Sequence, residues 1–273
     1  MPDFVPGVQP DMPASTYHAI EAMSASGAKK MLQSPKHYRL MRDEPGTPSP
    51  AMQFGTVVHC GILEPLHMNA RVAVAPDCDK RTKAGKETWS EFLANAGNRI
   101  VLTAAELTRA QRCIDAVREH PAAQQLLAGA AVEVSLFWND GKYHVPCKAR
   151  FDARNHGGVI DVKTCSDASP EQFARDCARF LYHVQAAHYY SGAEHALNAT
   201  PEFFALICVE SEPPHAVACY ELDMPALRAG AHLANIALAR YADALAAGAW
   251  PGYPDAIQVL HLPRYALRFD ALH

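Results

Sequence analysis

The sequence predicts an α/β (α+β) fold, with helices flanking a mixed central sheet that contains a three-stranded antiparallel meander. Three observations predict it. Five short runs, Glu133–Trp138, Lys148–Arg154, Val159–Cys165, Phe203–Val209 and Ala216–Leu222, read as strands bounded by turn residues. Capped helical stretches with apolar stripes lie on both sides of the first three. A hydrophobic content of 49% with 20% charge is that of an ordinary globular chain, and 273 residues are enough to bury one large core. Residues 1–15 read as an extended or disordered lead-in and residues 16–273 as one domain.

Taken in order, the Pro-rich lead-in shows little periodicity. Ser24 or Ser26 can cap a helix reaching about Gln33, and Ser34-Pro35 can start the next. Lys29, Lys30, Lys36, Arg39 and Arg42 make this region basic. After a loop marked by Gly46, Pro48 and Pro50, AMQFGTVVHCGILEP is an apolar and therefore buried helix, with Gly55 and His59 one turn apart on one face. A lone histidine there is usually a hydrogen-bonded core residue, although the glycine beside it lets a backbone or ligand approach. The run DKRTKAGKETW then places Lys80, Arg81, Lys83 and Lys86 within seven residues. It suits either a surface loop entering a helix or an arm that contacts phosphates, and composition does not separate these.

Thr103 and Glu106 form a capping-box pattern for a helix over 103–128. Glu133–Trp138 follows, with Asn139-Asp140-Gly141-Lys142 as its hairpin turn, which sets Glu133 opposite Lys148. Ser169-Pro170-Glu171-Gln172 starts a helix, and HVQAAHYYSGAEHAL continues as a second, with Gln185 and Tyr189 on one face. Two further strands, an Ala-rich helix from Pro225 to about Ala247 and an irregular Pro-containing tail complete the chain.

The most informative stretch is KARFDARNHGGVIDVK, residues 148–163. A turn at Asn155–Gly158 sets Arg154 opposite Val159, Asp152 opposite Asp161 and Arg150 opposite Lys163. Opposed side chains share a face with Cβ atoms roughly 4.5–5.5 Å apart. Two aspartates that close repel unless a cation lies between them, and a hard divalent ion with oxygen ligands would turn the conflict into a site. Glu133, Lys148, Arg150, Asp152, Asp161 and Lys163 are thus expected on one side, with Phe151, Ile160 and Val162 packing inward on the other. A solvated, self-neutralising hairpin face is the competing reading.

Several classes are excluded or disfavoured. No apolar run reaches membrane-spanning length, and the N-terminus lacks a signal-peptide pattern. Eight scattered cysteines without a CxxC pair suit free thiols in a reducing cytoplasm, and fourteen histidines include no HExxH or HxxxH zinc motif. A net charge of −4 argues against a protein that coats nucleic acid, while leaving room for one confined basic path.

His59, Glu133, Asp152, Asp161-Val162-Lys163 and Gln185-x-x-x-Tyr189, in that order, resemble the PD-(D/E)XK nuclease superfamily, in the branch with a GxxxH helix before the strands and a QxxxY helix after them. SASGAKKMLQSPKHY, FGTVVHCGILEP and KRTKAGKETW are similar to the exonuclease VIII (RecE-type) nuclease domain, and the likeness spans roughly residues 16 to 250. DxK alone is a weak signal; five elements in order are a strong one. Phe151 stands where the family name has its proline.

The resemblance implies a restriction-endonuclease-like fold and a catalytic set of Asp152, Asp161, Lys163, Gln185, Tyr189 and Glu133. It implies Mg²⁺ or Mn²⁺ held by Asp152, Asp161, the Val162 carbonyl and His59. Lys163 would orient or help deprotonate the attacking water, and Glu133 would be an outer metal group or a partner of Lys148. DNA contacts are expected from Lys80, Arg81, Lys83, Lys86 and Arg150. The implied activity is 5′→3′ degradation of one strand at linear double-stranded DNA ends. It would be carried out by a homo-oligomeric ring, a trimer or tetramer, that supplies single strands to an annealing recombination protein. Two readings compete: a single-strand-specific or endonucleolytic member of the superfamily, and a non-catalytic DNA-binding scaffold, which the intact D…DxK set disfavours.

Overall fold

A computed structural model describes residues 3–155 and 157–262; His156, in the expected hairpin turn, and the last part of the Pro-containing tail lie outside the described residues. The chain runs β1 (Gly7–Gln9), α1 (Ala14–Ala19), α2 (Ala25–Gln33), α3 (Pro35–Asp43), α4 (Pro50–Leu63), α5 (Met68–Arg71), β2 (Val72–Val74), α6 (Lys83–Ala96), β3 (Ile100–Leu102), α7 (Ala104–Glu119) and α8 (Pro121–Leu127). It continues β4 (Ala131–Asn139), β5 (Pro146–Arg154), β6 (Gly158–Cys165), α9 (Pro170–Arg179), α10 (Tyr182–Leu197), β7 (Phe203–Glu210), β8 (Val217–Glu221) and α11 (Met224–Ala247).

The helices start where the sequence places them, although Ser169, at the start of α9, makes no side-chain cap hydrogen bond. Ser24 accepts from Gly27 N–H and Ser34 from His37 N–H, while Thr103 and Glu106 close a reciprocal box. The helix expected over 103–128 is two helices, because Pro121 has no N–H to continue the ladder and His120 caps the second piece instead.

The main sheet has the order β1-β4-β5-β6-β7-β8, with β6 and β7 parallel and the other pairs antiparallel. Gly7–Gln9, within the lead-in, pair with β4 as an edge strand. A separate parallel pair, β2 with β3, was not legible from three-residue runs.

Both faces of the sheet are covered, not one. Helices α2, α10 and α11 bury Leu136, Phe151, Val159 and Leu206 on one face. Helices α4 and α7 bury Ile160, Val162 and Ile207 on the other. Phe151 therefore faces the opposite layer from Ile160 and Val162, against the expectation that all three share a side. Helices α10 and α11 cross closely at Gly230, where a Cβ would lie 2.0 Å from the His183 carbonyl oxygen.

The β4–β5 register differs from the expected one. Phe137, not Glu133, pairs with Lys148, because the loop is six residues long and the Asp140 carboxylate accepts from the N–H groups of Lys142 and Tyr143. The shift is four residues, an even number, so Glu133 stays on its expected side and comes opposite Asp152.

Candidate active site

The β5–β6 hairpin closes in the expected register, Arg154 with Val159 and Ala153 with Ile160. Its ladder then stops. Asp152 and Asp161 would be the next pair, but the Asp152 carboxylate accepts from Val162 N–H at 2.8 Å in place of a backbone rung. On the other flank, Glu133 has φ +54°, a left-handed conformation that costs a non-glycine residue about 1–2 kcal/mol. The β4–β5 pairs Val132–Ala153 and Val134–Phe151 bracket this kink. The strands part where the acidic residues sit, and the face change between Phe151 and Ala153 occurs there.

Side chains from both helical layers enter the gap. From α4, His59 Nε2 lies 3.0 Å from Asp152 Oδ2 and its Nδ1 3.6 Å from Glu133 Oε1. Gly55, one turn earlier, lets α4 approach β6: a Cβ there would be 3.0 Å from Thr164 Oγ1. From α10, Gln185 Nε2 donates to Asp161 Oδ1 at 2.7 Å. Tyr189 Oη donates to the Arg150 carbonyl at 2.8 Å and lies 3.3 Å from Gln185 Nε2. Lys163 is ion-paired with Asp161.

The electrostatics follow from this crowding. Burial and the neighbouring Asp152 raise Asp161 to about 6, although Lys163 and Lys29 oppose the shift. Burial would also raise Asp152, but His59, Lys163 and the Val162 N–H outweigh it and hold that carboxyl below its usual range. Burial alone would lower His59; Asp152, Glu133 and Asp161 overcome it and raise the imidazole to about 9. The carboxylates likewise hold the Lys163 ammonium above the ordinary lysine range in spite of its burial.

Three residues of the expected charged face are placed differently. Glu133 does not partner Lys148; it binds Arg150 and faces His59. Arg150, expected to reach DNA, is tied to Glu133, to the Met12 carbonyl at 2.7 Å and to Ser135 Oγ at 2.9 Å, and so holds Glu133 in place. Lys148 lies outside the cluster: it is buried, and its ammonium donates to the carbonyls of Tyr17 and Ile20 at 2.8 and 2.6 Å. Lys80, Arg81, Lys83 and Lys86 are all exposed at the entry to α6, with Lys80 over the Trp89 ring and Arg81 paired to Asp79.

The sequence did not single out Lys29. From α2 its ammonium donates to Gln185 Oε1 at 3.1 Å, which fixes the amide so that its NH₂ points at Asp161. Burial and Lys163 lower this lysine to about 8. Within a helix that carries Lys29 and Lys30 side by side, no sequence signal says which one turns inward.

Among the described residues, no three His, Cys, Asp or Glu side chains form a ready-made metal cage. The donor chemistry nevertheless fits a hard cation: the Asp152 carboxylate acts on Asp161 strongly enough to raise its pKa, and Asp161 Oδ2 is buried with an ion-pair neighbour but no aligned hydrogen-bond donor. Mg²⁺ typically needs only one or two protein carboxylates and completes its shell with water and substrate phosphate.

Comparison with known proteins decides the family. The family described as a PDDEXK-like domain of unknown function (DUF3799) matches residues 24–263. The chain belongs to this PDDEXK-like family. Such domains generally depend on a divalent metal. The crystal structure of a candidate exonuclease from Eubacterium rectale superposes with a TM-score of 0.63 over 95% of this chain and 99% of that one, at 12% identity, which shows a shared fold. SSO0001 aligns with 49% of this chain and 67% of its own at 21% identity, but its TM-score of 0.28 carries no argument. No curated protein sequence matches significantly. The eight cysteines are free thiols, and no helix among the described residues is long and apolar enough to cross a membrane.

Proposed function

We propose that this PDDEXK-like chain is a metal-dependent exodeoxyribonuclease that degrades one strand of linear double-stranded DNA, 5′→3′, with Mg²⁺ as its ion and Mn²⁺ as a substitute. The observation that carries the reading is the interrupted hairpin, which brings Asp152, Asp161 and Lys163 together within reach of His59 and Gln185. The solved relative's description as a candidate exonuclease supports the choice among nucleases.

Asp152, Asp161 and the Val162 carbonyl would hold the ion, with His59 beside them. When bound, the ion supplies an acidified water and neutralises charge building on the scissile phosphate. Asp152 is kept ionised and oriented by His59 and the Val162 N–H. Gln185 fixes the rotamer of Asp161, and Lys29 fixes Gln185. Lys163 is an ammonium as the structure stands, so its first role is to position the water and balance phosphate charge. Removal of a proton by Lys163 would require its charge to be displaced first.

Lys80, Arg81, Lys83 and Lys86 are the proposed phosphate contacts; all four are exposed, and the surface pairs that Arg81 makes with Asp79 and Lys83 with Glu87 are of the weak, solvent-screened kind that a phosphate can replace. A ring of three or four copies, with this basic run inward, would reconcile a net charge of −4 with DNA binding, and an annealing protein would take up the single strands.

The test uses end-labelled linear duplex, closed circular duplex and single strands, each with Mg²⁺ and with chelator. The proposal expects metal-dependent loss of nucleotides from linear duplex and intact circles. Cleavage of circles as fast as linear duplex would replace it with an endonuclease, and preference for single strands would replace it with a single-strand nuclease.

A further inference from the structure

A cavity of about 500 Å³ opens at the carboxyl end of β6, between the start of α4, helix α7 and the α9–α10 junction. Its wall includes Thr164, next to Lys163, and the rings of Phe54, Phe180 and Tyr182. Tyr182 joins the cavity to the site, since its ring centroid lies 5.0 Å from Lys163 Nζ.

The aromatic wall is built rigidly. Leu181 has φ +55°, and this left-handed turn ends α9 and begins α10 so that Phe180 and Tyr182 lie side by side, centroids 5.8 Å apart and planes 30° apart. The row continues inward to Phe173 and Tyr220, with centroid steps of 6.0 and 5.4 Å. Phe180, at the outer end, is 45% exposed, unusual for a phenylalanine backed by such a row.

The charges in the cavity say which part of a nucleotide it takes. Glu106, Asp176 and Glu212 line it, and of its two arginines Arg109 is paired with Glu212 while Arg179 lies over the Phe180 ring. Such a lining repels phosphate. A nucleobase is neutral, has a π-face for the rings and carries exocyclic N–H donors for the carboxylates.

We infer that this cavity receives one unpaired base of the strand being cut, the base of a nucleotide adjoining the scissile phosphate, stacked on the exposed Phe180 ring in place of the Arg179 guanidinium. The phosphate stays at Lys163 while the base turns away from the duplex into the cavity. The inference rests on the nuclease reading above and adds a subsite to it. Peeling one base from the end is what a strand-selective exonuclease requires before each cut.

The test is a binding cycle. Fluorescence anisotropy measures linear duplexes with an abasic residue at each of the first few positions from the end, with Ca²⁺ in place of Mg²⁺ to slow turnover. The wild-type chain and the variants Phe180→Ala, Phe180→Leu and Phe180→Trp are compared. At one position, loss of the base should weaken wild-type binding by roughly 5- to 100-fold, the scale of one stacked base. Phe180→Ala and Phe180→Leu should weaken binding of intact DNA similarly and show no further loss on the abasic duplex; Phe180→Trp should behave like wild type. An abasic penalty equal in all four proteins, or absent at every position, overturns the inference. A wild-type chain that binds as described but cuts no DNA with any divalent ion would instead overturn the nuclease reading.

Discussion

Two lysines on neighbouring strands, one buried and one half-buried, show how differently the molecule uses the same side chain. Lys148 on β5 and Lys163 on β6 were expected on one charged sheet face. Lys148 lies among neutral oxygens: it ties down the carbonyls at the end of α1, and burial lowers its pKa to about 8. Lys163 lies among anions, and Asp161 and Asp152 raise its pKa despite burial. Neutral acceptors satisfy an ammonium without demanding that it be charged, which makes a structural post. Carboxylates hold their ammonium in the charged form and can exchange it for a metal ion, which makes a site.

The largest expected effects separate these regions. Lys163→Ala or Asp161→Ala should reduce cleavage at least about 10³-fold, a loss on the scale of removing a group that acts on the transition state, while circular dichroism and solution mass stay unchanged. Lys148→Met should do the reverse. It strips the α1 carbonyls of their donor and should cost about 2–4 kcal/mol in urea unfolding, with activity per folded molecule retained. Near-normal cleavage by Lys163→Ala, or a stable Lys148→Met chain that has lost activity, would break the comparison.

A smaller effect is expected at Lys29. Lys29→Met frees the Gln185 amide to rotate, so kcat should fall about 10-fold with KM for DNA little changed, and Lys29→Arg should restore most of it, the scale of one charge-assisted hydrogen bond. An effect confined to KM would make Lys29 a DNA contact instead.

Much of this region was legible in the sequence. A four-residue turn fixed the hairpin register, which brought Asp152 and Asp161 onto adjoining strands. The six charged residues expected on one face are nevertheless split, because Phe151 packs in the α10 layer and Ile160 and Val162 in the α4 layer. The ordered set from His59 to Tyr189 marked which polar residues belong together. What could not be read was the break in the ladder. It depends on one left-handed residue, Glu133, and on a side chain replacing a backbone rung, and neither leaves a pattern in composition or spacing. The Lys148 misplacement came from loop length, since Asp140 stabilises a longer loop than its neighbours suggested. Lys29 was hidden because it reaches Gln185 across 156 positions, through helix packing alone.

The smallest effect concerns pH. Asp161, raised to about 6, is protonated below that value and must lose its proton to solvent before it binds a metal. The folded state thus holds a proton here between the ordinary aspartate pKa and about 6, and a cation competes with it. The rise in melting temperature produced by Mn²⁺ should be full near pH 8 and shrink below pH 6, as protonation weakens apparent affinity about tenfold per pH unit. A rise of the same size at pH 8 and pH 5 would place the ion elsewhere.

The central claim is that Asp152 and Asp161 together grip a divalent ion. Calorimetric titration of Mn²⁺ into the wild-type chain at pH 8, and into Asp152→Asn and Asp161→Asn, tests it most directly. Saturable binding by the wild type that each substitution removes is the predicted result; unchanged binding by either variant would contradict the account.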